Sequence, residues 1–152
     1  MPPFAAVFLM ATVAGAAAAL VPPAVSSTDN ARLAAETMAM VHMQARNRCA
    51  TPGACPAGPV SGLPSSGIAS AVTVRSNGAG MLVTAWAPPA GSRWASVSRT
   101  AIVRQLEETK RRMRVSVMGG WSPSSSLNGA LIPSSIGGLP LSQGQPFMAA
   151  SF

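Results

Sequence analysis

The distribution of hydrophobic and polar residues divides this chain into one unbroken apolar stretch, two helical patterns and several strand patterns. The apolar stretch runs from Phe4 to Val21 and is interrupted only by one Thr and one Gly. A helix of that length, at ~1.5 Å per residue, measures about 27 Å and nearly matches the ~30 Å hydrocarbon core of a bilayer. The larger apolar side chains of the predicted span are Phe4, Val7, Phe8, Leu9, Met10, Val13, Leu20 and Val21.

This stretch predicts an uncleaved membrane anchor over residues 1–23. A cleaved export signal is the alternative, because small-residue sites such as Ala14-Gly15-Ala16 occur within it, although no Lys or Arg precedes them. A buried core helix is the least favoured interpretation, because such a helix would show a polar face. Both favoured interpretations direct the rest of the chain to, or across, a membrane.

Two amphipathic patterns predict helices in the remaining sequence. The first helix is predicted within residues 24–48, from Asn30 to about Arg48, and the second from about Ser98 to Arg112, with Ser98 or Thr100 as its N-cap. The predicted buried positions are Ala34, Met38, Val41 and Ala45, with Leu33 beside them, in the first helix, and Ile102, Val103 and Leu106 in the second.

Strand patterns place an antiparallel sheet within the C-terminal part. A Pro- and Gly-rich connection, residues 49–67, precedes runs at 68–75 and 81–87, which the turn at 77–80 joins as a hairpin. Further strands are predicted at residues 113–118, ending at Gly119-Gly120, and at the sheet edge, residues 147–152. The predicted fold is α+β, with a transmembrane helix followed by a small domain, residues 68–152, whose sheet carries two helices.

Composition narrows the function classes. The formal net charge is +7, but only 10% of residues are charged and only 5% are aromatic. The basic residues are scattered, apart from Lys110, Arg111, Arg112 and Arg114, and the Trp residues do not alternate with them. We therefore expect no nucleic-acid partner.

Cys49 and Cys55 flank a Pro- and Gly-containing segment that favours a tight turn. A disulfide formed in an oxidising compartment is the favoured interpretation, and two inert thiols are the alternative. The spacing differs from that of a C-x-x-C redox motif. Two thiols with the single histidine, His42, make no structural zinc site, so we expect no metal or cofactor.

The residues give no catalytic constellation, and we expect neither an enzyme nor a small-molecule substrate. Glu107 and Glu108 are interpreted as partners of the basic residues next to them on a solvated helix face. His42 is interpreted as a surface or partly packed helix residue, because no nucleophile stands beside it in the sequence. Trp94 and Trp121 are candidate partner contacts, and packing in the core or in turns is the alternative for each.

Several motifs together resemble the PilM proteins of type IVb pilus systems, including those of conjugative transfer. The resemblance covers most of the chain loosely and residues 80–152 best. It is carried by Ala85-Trp86-Ala87-Pro88-Pro89, Ile102-Val103-x-Gln105-Leu106, Val115-x-Val117-x-Gly119 and, above all, Asn128-Gly129-Ala130-Leu131-Ile132-Pro133-Ser134-Ser135-Ile136.

The resemblance implies a small pilus-biogenesis component tethered to the bacterial inner membrane, with its C-terminal domain in the periplasm. It also implies a pilin-like outline and, as partners, membrane lipid and other inner-membrane pilus or secretion components. The chain departs from true pilins because no basic leader precedes the span and the first Glu is Glu36. The basic residues after the span, Arg46 and Arg48 among them, favour the opposite orientation under the positive-inside rule.

Overall fold

The computed structural model describes residues 27–113, 118–122, 125–126, 135–142 and 144–152. The predicted anchor at residues 1–23 lies outside this part of the chain. Within the described part, no helix combines the length and apolarity that a bilayer crossing requires.

The first helix, α1, runs from Ser27 to Cys49 and begins three residues before the predicted start at Asn30. Asp29 in its first turn and Arg46 and Arg48 in its last turn complement the helix dipole. Its predicted apolar face is buried, but the placement of Leu33 beside that face is wrong, because this side chain is 45% exposed.

The central hairpin follows a short 3-10 helix, Gly67–Ala71, where the sequence pattern predicted strand. Strands β2 (Val72–Ser76) and β3 (Met81–Trp86) pair antiparallel, and the two-residue strand β1 (Gly58–Pro59) lies on the outer side of β2. Asn77 closes the predicted turn, since its Oδ1 accepts hydrogen bonds from the backbone N–H groups of Ala79 and Met81, both at 2.9 Å.

A second 3-10 helix, Arg93–Ser96, leads into helix α2, Arg99–Met113. The Ser98 hydroxyl accepts a hydrogen bond from the Ala101 N–H at 3.3 Å, which confirms Ser98 as a capping residue.

Strands β4 (Met118–Ser122), β5 (Ser125–Ser126), β6 (Ser135–Ile136), β7 (Leu139–Pro140) and β8 (Gln145–Ser151) complete the described part. The main sheet has the order β1-β2-β3-β8-β4-β5 and every pairing is antiparallel. The predicted edge strand at residues 147–152 is therefore wrong in position, because β8 lies between β3 and β4. The predicted end of a strand at Gly119-Gly120 is also wrong: β4 passes through both glycines, and residues 114–117 lie outside the described part.

The sheet has helices on one face and a small hairpin on the other. On the helical face, Trp86, Met148 and Ala150 pack in one cluster with Ala34, Met38, Ile102 and Leu106 of the helices. On the opposite face, Val83, Ala85, Phe147 and Ala149 form a cluster with Ile136, Leu139 and Leu141 from the β6–β7 hairpin and its flank. The α+β class with two helices on an antiparallel sheet is therefore as predicted.

The two ends of the helical layer are distinguishable. The first half of α1, from Ala31 to Ala39, shares its cluster with Trp86 at the end of β3, and with Trp94 and Val97 beyond it. The second half, from Val41 to Cys49, clusters instead with Leu82 at the start of β3 and with Val74. We call the end of the domain that contains Trp86, Trp94 and the first half of α1 the entry end, because the chain enters the described domain there at Ser27.

Candidate functional site

A disulfide joins Cys49, the last residue of α1, to Cys55 in the following loop, with the two Cα atoms 5.2 Å apart. The predicted pairing is confirmed. The two residues are 2% and 8% exposed and pack with Val74 and Leu82 of the sheet. A hydrogen bond holds the same loop against the sheet, because the Ser76 hydroxyl donates to the Cys55 carbonyl at 3.2 Å. The presence of the disulfide indicates an oxidising compartment.

His42 is completely buried between α1 and the sheet, so its interpretation as a surface or partly packed residue is wrong. Its Nδ1 lies 2.7 Å from Oγ1 of Thr84 on β3, within a hydrogen bond, and its Nε2 is buried without a hydrogen-bond partner in the described part. Burial, and secondly the positive charge of Arg46, lowers the pKa of His42 to about 4. The imidazole is therefore neutral at pH 7, and it serves as a polar contact inside the core.

Trp94, offered by the sequence as a candidate partner contact, is 9% exposed and belongs to the helical-face cluster. The guanidinium carbon of Arg93 lies 4.1 Å from the centroid of its ring. Little of this indole is accessible to a partner protein, and the exposed side chain at this point of the surface is that of Arg93. Trp121 lies on β4 opposite Pro146 of β8, and its role as a partner contact stays a prediction.

Every carboxylate side chain of the protein lies on one of the two helices: Asp29 and Glu36 on α1, Glu107 and Glu108 on α2. Lys110 Nζ lies 3.7 Å from the Glu107 carboxylate, as expected for a pair on a helix face.

Glu36 links the two helices. Its carboxylate accepts a hydrogen bond from Arg32 at 3.0 Å and one from Arg112 at 3.1 Å. These two bonds, Arg32 first, lower the pKa of Glu36 below its usual 4.5. Between the helices lies an open groove of about 660 Å³, lined by Thr28, Asp29, Arg32, Gln105, Glu108, Arg111 and Arg112. The charged side chains that line it are of both signs: Asp29 and Glu108 are acidic, and Arg32, Arg111 and Arg112 are basic.

Sequence reasoning found the disulfide but missed two side-chain contacts, His42–Thr84 in the core and Arg93–Trp94 at the surface. The second pair is adjacent in the sequence, so an Arg preceding a core Trp was a usable signal. The first pair joins residues 42 positions apart, and no local pattern reveals it. In the described part, no three His, Cys, Asp or Glu residues come together in a way that could hold a metal ion.

Comparison with known protein families, with curated proteins and with solved structures finds no match to this chain. The resemblance to the PilM proteins therefore remains a prediction from the motifs quoted above.

Proposed function

We propose that this protein is a membrane-tethered, non-catalytic assembly or scaffolding component of a type IVb pilus machine in the bacterial inner membrane. Its domain would lie on the periplasmic side and contact other inner-membrane components of a conjugation or secretion system. The pilin-like outline, a long first helix laid across an antiparallel sheet, belongs to this proposal.

The observation that carries the proposal is how α1 joins the predicted anchor to the domain. α1 begins six residues after Val21, and ten of its residues are buried against the sheet and α2. The six residue steps from Val21 to Ser27 span at most ~21 Å, whatever the conformation of the five residues between them. Because α1 cannot leave the domain without exposing that core, an anchored first segment would hold the domain close to the bilayer. A scaffolding protein that works by holding its domain at the membrane needs such a short connection between anchor and domain.

The disulfide adds support for the periplasmic side, because such bonds persist in oxidising compartments. It supports equally the second candidate, an exported structural or binding protein whose first segment is removed. The sites Ala14-Gly15-Ala16 and Ala17-Ala18-Ala19 favour that second candidate.

Fractionation with N-terminal sequencing separates the two. The tether predicts full-length chain in the membrane fraction, resistant to alkaline carbonate extraction. The double substitution Leu9→Lys and Val13→Lys should release it, because each Lys at the centre of a span costs about 2.5–3.5 kcal/mol. Met40→Lys, on an exposed position of α1 outside the span, is the matched control and should stay in the membrane. A mature N-terminus after Ala16 or Ala19 would support the exported protein, and intact chain in the soluble fraction would contradict both.

Partner identity requires crosslinking in the native host. Met40 and Phe152 are 46% and 38% exposed, so a photo-crosslinking residue at either position leaves the core intact. We expect capture of components of a pilus or secretion machine by at least one position. Adducts to unrelated exported proteins alone would contradict the assembly role while leaving the anchor in place.

A further inference from the structure

The entry end of the domain carries a cation that the fold holds in a fixed place. Arg93 is exposed and its guanidinium stacks over the Trp94 ring at 4.1 Å. The ring itself is fixed, because Trp94 is 9% exposed and packs in the helical-face cluster with Ala31 of α1. No salt bridge found within the described part of the chain involves Arg93. Stacking thus orients the guanidinium without neutralising its charge.

A second arginine lies at the same end. Arg99 opens α2, and its Nη1 is 3.5 Å from the position that a Cβ on Gly144 would occupy, just before β8 begins. The start of β8 lies beside the end of β3, since Phe147 pairs with Ala85. Arg93 and Arg99 therefore belong to the end of the domain at which the chain enters.

The charge balance favours an anionic partner for this end. The chain carries a formal net charge of +7 with only four carboxylates. Two of these already have basic partners: Glu36 contacts Arg32 and Arg112, and Glu107 contacts Lys110. The 3-10 helix with Arg93 and the segments that flank it, residues 87–98, contain no Asp or Glu, and the carboxylate nearest the start of the domain is Asp29 in the first turn of α1. The planar fork of an arginine matches a phosphate group through two parallel hydrogen bonds.

Resting on the membrane tether proposed above, we propose that the entry end binds the phosphate headgroups of anionic phospholipids, with Arg93 as the contact residue. The anchor would bring this end to within ~21 Å of the membrane surface, because only five residues separate Val21 from Ser27. The bound headgroups would then restrict the tilt of the domain on its link. Arg93 is a binding residue in this scheme, and Trp94 positions it.

The test uses the full chain reconstituted into nanodiscs of phosphatidylcholine, alone or mixed with phosphatidylglycerol, and measures hydrogen exchange of residues 88–98. We expect exchange of this segment to slow by about fivefold in the anionic discs, the factor that corresponds to ~1 kcal/mol per basic residue near an anionic surface. Arg93→Gln should abolish the difference, and Arg93→Lys should retain part of it. Arg75→Gln removes an exposed charge of the same kind from β2, near the far end of the sheet, and should retain all of it.

The outcomes separate this inference from the tether. Failure of the chain to enter either kind of disc would overturn the tether and this inference with it. Entry into both, with identical exchange at residues 88–98, would overturn the lipid contact alone. Equal loss of the difference in Arg75→Gln and Arg93→Gln would show a general charge effect and would also overturn the assignment to Arg93. Duplex DNA that slows the same segment more than the anionic lipid does would replace the lipid with a nucleic-acid partner.

Discussion

His42 on α1 and Thr84 on β3 are hydrogen-bonded inside the core, with Nδ1 and Oγ1 2.7 Å apart. The pair joins the first helix to the interior of the sheet, because β3 lies between β2 and β8. A buried histidine held neutral in this way makes the stability of the fold depend on pH.

The free energy of unfolding should fall as the pH is lowered from about 6.5 to about 4. The folded pKa of His42, about 4, lies below the ordinary value of 6.5, so the unfolded chain takes up a proton in this window and the folded chain does not. A depressed pKa contributes stability above the unfolded value, and this stability is lost on acidification. The full difference amounts to about 3 kcal/mol, at 1.36 kcal/mol per pKa unit.

Denaturant titrations at several pH values measure this dependence. His42→Gln is the control, since it keeps a polar side chain of similar length and cannot titrate. Its stability should be lower at pH 7 and nearly constant between pH 6.5 and 4.5. An equally steep pH dependence in that variant would assign the effect to other groups, such as Glu36, whose lowered pKa acts below the usual 4.5.

Reducing the disulfide should lower the free energy of unfolding by about 2 kcal/mol, the chain-entropy value for so short a loop. The sequence separation of Cys49 and Cys55 is 6 residues and both are buried, so reduction should be slow in the native state and fast once the chain unfolds. Thermal unfolding with and without dithiothreitol measures the effect. In the Cys49→Ser, Cys55→Ser double variant, the reductant should change nothing.

Phe147→Ala should destabilise the domain by about 3–5 kcal/mol, because a large buried side chain leaves a cavity. Phe147 is 0% exposed and lies on the sheet face that the β6–β7 hairpin covers. Phe152, one residue beyond the end of β8, is 38% exposed and gives a matched control, for which we expect less than ~1 kcal/mol. Similar unfolding midpoints for the two variants would contradict the central position of β8.

Gly78→Ala should destabilise the domain more than Gly91→Ala. Both glycines have positive φ, +71° and +75°, so each substitution carries the cost of about 1 kcal/mol that a left-handed Ala incurs. At Gly78 the new Cβ would also lie 2.9 Å from the backbone nitrogen of Ala57, whereas at Gly91 nothing lies within 4 Å. Chemical denaturation of both variants measures the difference. Equal losses in the free energy of unfolding would show that the loop at Ala57 moves away from the new Cβ at no cost.

Local patterns predicted the elements well where one face of an element decides its structure. The helical period of Ala34, Met38, Val41 and Ala45 identified the buried face of α1, and the turn at residues 77–80 identified the β2–β3 hairpin. Prediction failed where an element is buried on two sides. Phe147 and Met148 are both buried, on opposite faces of β8, so the strand lacks the alternation that would distinguish a central from an edge position.

The sequence predicts the positive charge of the entry end, but it does not predict which arginines lie there. The shortage of carboxylates and the excess of arginines are plain in the sequence. That Arg93 stands at the same end of the domain as Ser27 is a consequence of β3 running back along α1, which only the folded chain shows.

The sequence by itself determined the two helices, the hairpin and the disulfide pair, because each depends on residues close together in the chain, through periodicity, turn chemistry or a short loop. It also carries the prediction of a membrane anchor. Only the tertiary structure decided that β8 lies at the centre of the sheet, that His42 is neutral in the core, and which arginines share the entry end. Those features depend on contacts between residues far apart in the chain, where desolvation and pairing are set by packing rather than by local sequence.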